Sequence, residues 1–173
     1  MVAWWHERSE SLELWISTQA PWFITWEVAH CLGLEQSQVV CREVAVGGGF
    51  GVKQEIYPEE IVLAALAMRV GAPVKWIETR REHVTTAAHA REQRHDVELA
   101  ARRDGTIVGL RADVVADLGA YTRSLGVLCP SITAASLPGP YRIRHYTCRV
   151  RCALTCKAPA AAYRGAGQPE AVF

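Results

Sequence analysis

The sequence has no excess of charge of either sign. Its 19 Lys and Arg stand against 18 Asp and Glu. A nucleic-acid binder that works by neutralising phosphates is therefore disfavoured. No apolar run is long enough to cross a bilayer. The start, Met1-Val2-Ala3-Trp4-Trp5-His6-Glu7, has neither the basic segment nor the long apolar segment of a signal peptide, so a cytoplasmic location is the default. No Cys-x-x-Cys pair occurs, so a zinc ribbon or a thioredoxin-type site has no support. Half of the 173 residues are hydrophobic and 21% are charged, an ordinary globular composition that allows one domain core or two small ones.

Six cysteines are present, and Cys148, Cys152 and Cys156 are spaced by four. That spacing invites an iron–sulfur reading. The segment 146–155 nevertheless alternates as a strand does, with Cys148, Val150, Cys152 and Leu154 on one face and Arg149 and Arg151 on the other. Cysteines four apart on a strand lie roughly 13 Å apart at ~3.3 Å per residue, too far to share one metal. The expectation is buried free thiols acting as small hydrophobes.

The chain divides into short strands and helices. Residues 12–17 alternate as a strand, and Pro21 suits the first turn of a helix running to about Leu32, with Gly33 as its C-cap. Phe23, Trp26, Val28, Ala29 and Leu32 form its expected inward face. A strand is expected over 39–46 and a helix over 56–68, opened by Pro58-Glu59-Glu60 with acids favourable to its dipole. Residues 74–78 read as a strand and 80–89 as a short helix with a solvated charged face. Residues 95–102 and 106–116 form a hairpin around Asp104-Gly105, with one wet face. Residues 117–140 read as loop, 146–155 as a strand, and Pro169 opens a final helical turn. The pattern is α+β, with mixed sheets and packed helices, and both ends look cut.

Val46-Gly47-Gly48-Gly49-Phe50-Gly51-Val52-Lys53 is the most informative stretch. Glycine accepts positive φ and lets another group approach bare backbone. Between a strand and a helix, such a turn presents backbone N–H groups to a ligand, often an anion. The familiar phosphate loops do not fit. Val52 separates Gly51 from Lys53 and Gln54 follows, which breaks a P-loop, and no starting glycine completes the dinucleotide fingerprint. A nucleotide-binding domain is therefore the weakest functional reading.

Two further motifs accompany this turn, Ser17-Thr18-Gln19-Ala20-Pro21 and Ala162-Tyr163-Arg164-Gly165-Ala166-Gly167-Gln168-Pro169-Glu170-Ala171. In order and spacing, over nearly the whole chain, the three resemble the large, molybdopterin-binding subunit of the molybdenum hydroxylases. That family contains xanthine dehydrogenase, aldehyde oxidase and aerobic carbon monoxide dehydrogenase. The resemblance implies that residues 1–173 are part of a molybdopterin-binding domain. It also implies a molybdenum–molybdopterin cofactor, in its cytosine dinucleotide form, with FAD on a medium partner subunit and 2Fe-2S clusters on a small one.

In this family a metal-bound hydroxide attacks an electrophilic carbon of an aldehyde or N-heterocycle, and a hydride passes to a sulfido ligand. The pterin dithiolene holds the metal, so the protein orients and tunes the cofactor and supplies no metal ligands. Gln19 matches the glutamine that hydrogen-bonds the apical oxygen, a task suited to a neutral donor. Gly48, Gly49, Phe50 and Gly51 match the loop beside the metal, with Phe50 walling the pocket. Arg164 and Gly165 match the second loop, whose backbone donors stabilise charge developing on oxygen. The Arg164 side chain serves either that chemistry or structure. The resemblance thus assigns Gln19, Phe50 and Arg164 to catalysis, and Gln19, Gly48, Gly49, Phe50, Gly51, Arg164 and Gly165 to cofactor binding.

Departures narrow the substrate. The carbon monoxide enzymes carry a copper-holding cysteine immediately after the loop arginine, where this chain has Gly165. Xanthine-type enzymes place an acid after the loop lysine, where this chain has Gln54, and an arginine before the second loop, which residues 129–133 do not offer. The family's general base is a downstream glutamate outside this sequence, and Glu170 matches a structural position instead. The competing expectation is a non-catalytic binding or assembly module that keeps the fold without the catalytic glutamate.

Overall fold

The computed structural model describes all residues, 1–173. It divides into two compact units, Met1–Val84 and Thr85–Phe173. No helix is long and apolar enough to cross a membrane.

The first unit opens on a hairpin of β1 (Val2–His6) and β2 (Ser11–Ile16). Along β2, Leu12, Leu14 and Ile16 are buried while Ser11, Glu13 and Trp15 are partly exposed, the period of two that a one-sided sheet requires. Helix α1 (Pro21–Leu32) then carries the chain to β3 (Val39–Glu43), which pairs parallel to β2. Helix α2 (Pro58–Val70) leads to β4 (Val74–Lys75), antiparallel to β1, so the sheet order is β3-β2-β1-β4. Ala3, Leu12, Leu14, Ile24, Val28, Val39, Leu63, Ala64 and Ala67 form the core between sheet and helices. Each fully buried Leu, Ile or Val there contributes about 1.5–3 kcal/mol. Pro21 and Pro58 occupy the first turns of α1 and α2, and Gly33 and Gly71 end them in the left-handed conformation. The Glu60 carboxylate accepts the Tyr57 N–H at 3.2 Å, satisfying a donor at the start of α2. Helix α3 (Arg80–Thr86) follows, with Arg80, Arg81 and Glu82 exposed as expected of a solvated face.

In the second unit, β5 (Gln93–Ala101) and β6 (Ile107–Asp117) form the expected hairpin, and β7 (His145–Ala153) pairs parallel to β6. Leu110, Ala112, Val114 and Ala116 of β6 face inward. The opposite face carries ion pairs of Arg111 with Glu98 and of Arg151 with Asp113, at 2.6 and 2.8 Å. Helix α4 (Leu128–Ser136) lies between β6 and β7, and α5 (Gln168–Val172) closes the unit. The α+β class with mixed sheets is thus as expected.

Several local expectations are corrected. The stretch 117–140 is not all loop, because α4 forms within it. Pro130 is its third residue, where the proline's missing N–H would have had no partner inside the helix. Burial of Cys129, Pro130 and Thr133 supplies what local propensity does not. The strand expected over 39–46 stops at Glu43, before the glycine turn, and that over 74–78 stops at Lys75. Trp26 is 49% exposed and stacks on Phe23 and His30, while Ile24 takes the inward position. The thiols are not generally buried. Only Cys129 is, Cys41 and Cys148 are partly exposed, and Cys31, Cys152 and Cys156 are exposed. Burial, then the Glu60 and Glu43 carboxylates, pushes the Cys41 thiol up to about 11.

Asp117 ties the end of β6 to the segment that follows β7. Its Oδ1 accepts from the Thr155 hydroxyl at 2.7 Å and the Gly119 N–H at 2.9 Å, and Lys157 Nζ stands 3.1 Å from Oδ2. The Thr155 hydroxyl first, then the Gly119 N–H, and further Lys157, hold this carboxyl below the usual aspartate range. A carboxyl depressed on folding stabilises the fold above its unfolded pKa, about 3.9. That contribution is lost as pH falls through the lower folded value. Urea unfolding between pH 7 and 2.5 is expected to show a shallower acid limb in Asp117→Asn than in the wild type, and equal limbs would contradict this role.

Candidate functional site

The functional geometry of the first unit starts where β2 runs out. Lys53 O accepts the Gln19 N–H at 2.9 Å and the Thr18 hydroxyl at 3.0 Å. Thr18 Oγ1 in turn accepts the Ala20 N–H at 3.1 Å, and Lys53 Nζ donates to Ser17 Oγ at 2.8 Å. The Ser-Thr-Gln run is therefore bonded along its length to the end of the glycine turn, across more than 30 residues of sequence.

Gln19 Oε1 accepts the Gly51 N–H at 2.9 Å. Only the oxygen of an amide can meet an N–H donor, so this bond fixes which way the amide points. The Nε2 donors are left over, and Gln19 is exposed. Gly49 makes this possible, because a Cβ there would stand 2.2 Å from Gln19 Oε1 and 2.4 Å from Cδ. The bare Cα of Gly49 is thus the floor on which the amide lies.

Gly48 and Gly51 have φ of +98° and +95°, and Phe50 itself is at +52°. The Phe50 ring folds back over Gly48, where a Cβ would meet Cε2 at 2.6 Å. The ring is 53% exposed. The Gly48 and Gly49 N–H groups have no acceptor within the chain. Beside Gln19 opens a cleft of about 230 Å³ lined by Ile16, Thr18, Pro21, Arg42 and Val46 among others. Structure thus brings Gln19, Gly48, Gly49, Phe50 and Gly51 together, with three kinds of neutral donor or wall and no carboxylate cluster. No group of three His, Cys, Asp or Glu side chains could hold a metal ion.

Arg164 and Gly165 belong to the second unit, in the turn before α5. Gly165 and Gly167 have φ of +102° and +97°, with Ala166 between them at +46°. Any side chain at 165 would meet Pro169 Cδ at 2.6 Å, and one at 167 the Cys129 carbonyl at 2.1 Å. Thr133 of α4, fully buried, donates its hydroxyl hydrogen toward the carbonyls of Cys129 and Gly167, both at 3.0 Å. Helix α4, missed in the sequence, is therefore a direct support of this turn. Arg91 is a second support that sequence reasoning missed. It bonds Arg164 O at 2.7 Å and Glu170 at 2.9 Å, and no periodicity or motif marks it. Glu170 is thus paired with Arg91 and largely buried.

Bare-backbone donors and an oriented amide of this kind can meet a ligand rich in hydrogen-bond acceptors. The molybdopterin cofactor-binding domain model matches residues 1–173, and the chain belongs to that family. It is 40% identical to the 6-hydroxypseudooxynicotine dehydrogenase complex subunit gamma of Paenarthrobacter nicotinovorans, over 84% of this chain and 18% of that one. It is 39% identical to the carbon monoxide dehydrogenase large chain of Hydrogenophaga pseudoflava, over 88% of this chain and 19% of that one. Quinoline 2-oxidoreductase from Pseudomonas putida 86 superposes with a TM-score of 0.92 at 34% identity, over 96% of this chain and 21% of that one. The chain spans about a fifth of the length of these relatives. Relatives are named as a complex subunit, a large subunit and a large chain, terms of multi-subunit proteins.

The glycines divide into two kinds. Gly49→Ala meets a flexible, exposed side chain, so it is expected to cost at most about 1 kcal/mol of stability while displacing Gln19 and exposing the Gly51 amide to exchange. Gly167→Ala meets backbone at positive φ and is expected to cost about 2–4 kcal/mol. Denaturant unfolding and Gly51 amide exchange check both, and equal stability losses would contradict the distinction.

Proposed function

We propose that this segment is the cofactor-orienting part of a molybdenum-cofactor oxidoreductase that hydroxylates an N-heterocycle. The observation that carries the reading is the Gln19 amide. Its oxygen is taken by the Gly51 N–H over the bare Cα of Gly49, so its two N–H donors remain for an oxygen of a bound group. The residues fit such a group, because an added Cβ at Gly49 would fill the cradle and the Gly48 and Gly49 N–H groups lack acceptors. When bound, the molybdenum–molybdopterin cofactor supplies the oxygen transfer and accepts the electron pair.

Gln19 would hold and orient the cofactor by donating its Nε2 hydrogens to an oxygen of the bound group. Gly48, Gly49 and Gly51 admit it to bare backbone, and Phe50 gives the pocket an apolar wall that excludes water. The Arg164–Gly165 turn offers backbone donors to charge developing on oxygen. These are preorganised neutral donors, which suit the task of positioning a cofactor and tuning its electronics. The cytosine dinucleotide form of the cofactor is the one we assign.

The substrate class follows relatives named for nicotine-derived compounds and quinoline, at 40%, 34% and 34% identity. An aldehyde is the second candidate. Carbon monoxide is not proposed. A cysteine at position 165 would need φ near +102° and would clash with Pro169. FAD on a medium subunit and 2Fe-2S on a small subunit would carry the electrons away. Six free thiols suit the reducing cytoplasm.

Gln19→Glu is the test. The carboxylate keeps an acceptor for the Gly51 N–H but loses both donors. In the large subunit carrying this segment, assembled with its partners, turnover of an N-heterocycle is expected to fall about 10²–10³-fold with folding unchanged. Wild-type turnover in Gln19→Glu would sink the assignment.

A further inference from the structure

We propose that Arg91 is a positioning residue that aims the Gly165 N–H. The use of that N–H rests on the function proposed above, whereas the aiming itself does not.

Arg91 stands between α3 and β5 at φ +76°, a conformation that non-glycine residues seldom adopt. Such an outlier persists only where its surroundings hold it. Here they do. The His89 N–H bonds Pro159 O at 3.0 Å, the Ala161 N–H bonds His89 O at 2.8 Å, and the Gln93 N–H bonds Arg91 O at 3.0 Å. The segment carrying Arg91 is thereby fastened to the run that leads into the Arg164 turn.

The guanidinium makes three contacts with that turn and the helix after it. Nη1 donates to Glu170 Oε2 at 2.9 Å, Nη2 donates to Arg164 O at 2.7 Å, and the central carbon lies 5.3 Å from the centre of the Tyr163 ring. The Glu170 side chain is only 6% exposed, so its carboxylate depends on this partner. A guanidinium is a planar fork, and fixing one nitrogen fixes the direction of the other. Glu170 therefore sets where Nη2 points, and Nη2 sets where the Arg164 carbonyl points.

The peptide unit is planar and trans. Holding the Arg164 C=O toward Arg91 turns the Gly165 N–H to the opposite side. That N–H has no acceptor within the chain. Its neighbours are engaged in holding the turn closed, Ala166 N–H to Tyr163 O and Gln168 N–H to Gly165 O, both at 3.0 Å. Thr133 holds the far end through Gly167 O. Arg91 brings a charged donor to the carbonyl of the Arg164–Gly165 peptide. Lysine at 91 could keep the ion pair with Glu170, but its single ammonium lacks the fork.

Amide hydrogen exchange of the large subunit carrying this segment tests this, comparing wild type, Arg91→Lys and Arg91→Gln without cofactor. Both variants are expected to exchange about 10- to 100-fold faster at Ala166 and Gln168, with β5, β6 and β7 unchanged. Arg91→Lys is the decisive variant should Arg91→Gln unfold. Unchanged exchange at Ala166 and Gln168 in Arg91→Lys would overturn the proposal. So would a uniform rise across β5, β6 and β7, which would make Arg91 a general element of the fold. Cofactor content of the wild-type large subunit is read separately. Its absence would sink the proposed function and leave the exchange result standing.

Discussion

The carbonyl oxygen of Lys53 receives both the backbone N–H of Gln19 and the hydroxyl of Thr18, and the first unit's site depends on that junction. It joins the end of β2, whose position is fixed by Leu12, Leu14 and Ile16 in the core, to the end of a turn that has no core residue of its own. Together with the bond from Lys53 Nζ to Ser17 Oγ, it holds the glycine turn under Gln19. With it, one further bond, Gly51 N–H to Gln19 Oε1, is enough to orient the amide. The turn's positive φ values are then imposed by a neighbour that is itself rigid, which is how strained backbone survives at a site.

The second unit reaches the same end by a different route. Its turn lies against side chains drawn from far along the sequence, Thr133 on α4 and Arg91 before β5. Each bonds a backbone carbonyl of the turn; the N–H of the Arg164–Gly165 peptide is left without an acceptor, while the Gln168 N–H closes the turn on Gly165 O. In both units carbonyl oxygens are used up internally while neutral donors remain. In each unit those donors suit a ligand rich in oxygen.

The three motifs were legible in the sequence because each uses residue types with few other purposes. Four glycines around Phe50 cannot serve a core, and Ser-Thr-Gln ahead of Pro21 marks a strand running into a helix. Strands and helices with a clear period, such as β2, α1 and the β5–β6 hairpin, were legible for the same reason. What remained hidden was set by tertiary contact. Helix α4 is stabilised by the burial of Cys129, Pro130 and Thr133, and Trp26 turns outward while Ile24 is buried. Cys152 and Cys156 share the spacing of buried residues yet are exposed. Arg91 lies 73 residues from Arg164, so no local pattern connects them.

The measurement closest to the central claim is the molybdenum and pterin content of the large subunit carrying this segment, purified from a host that makes the cofactor, for the wild type and for Gly49→Ala. The account predicts one molybdenum and one pterin per wild-type chain, and marked depletion of both when the floor beneath Gln19 is filled. Equal cofactor content in the two proteins would contradict it, since the cradle built on Gly49 would then have no part in holding the cofactor.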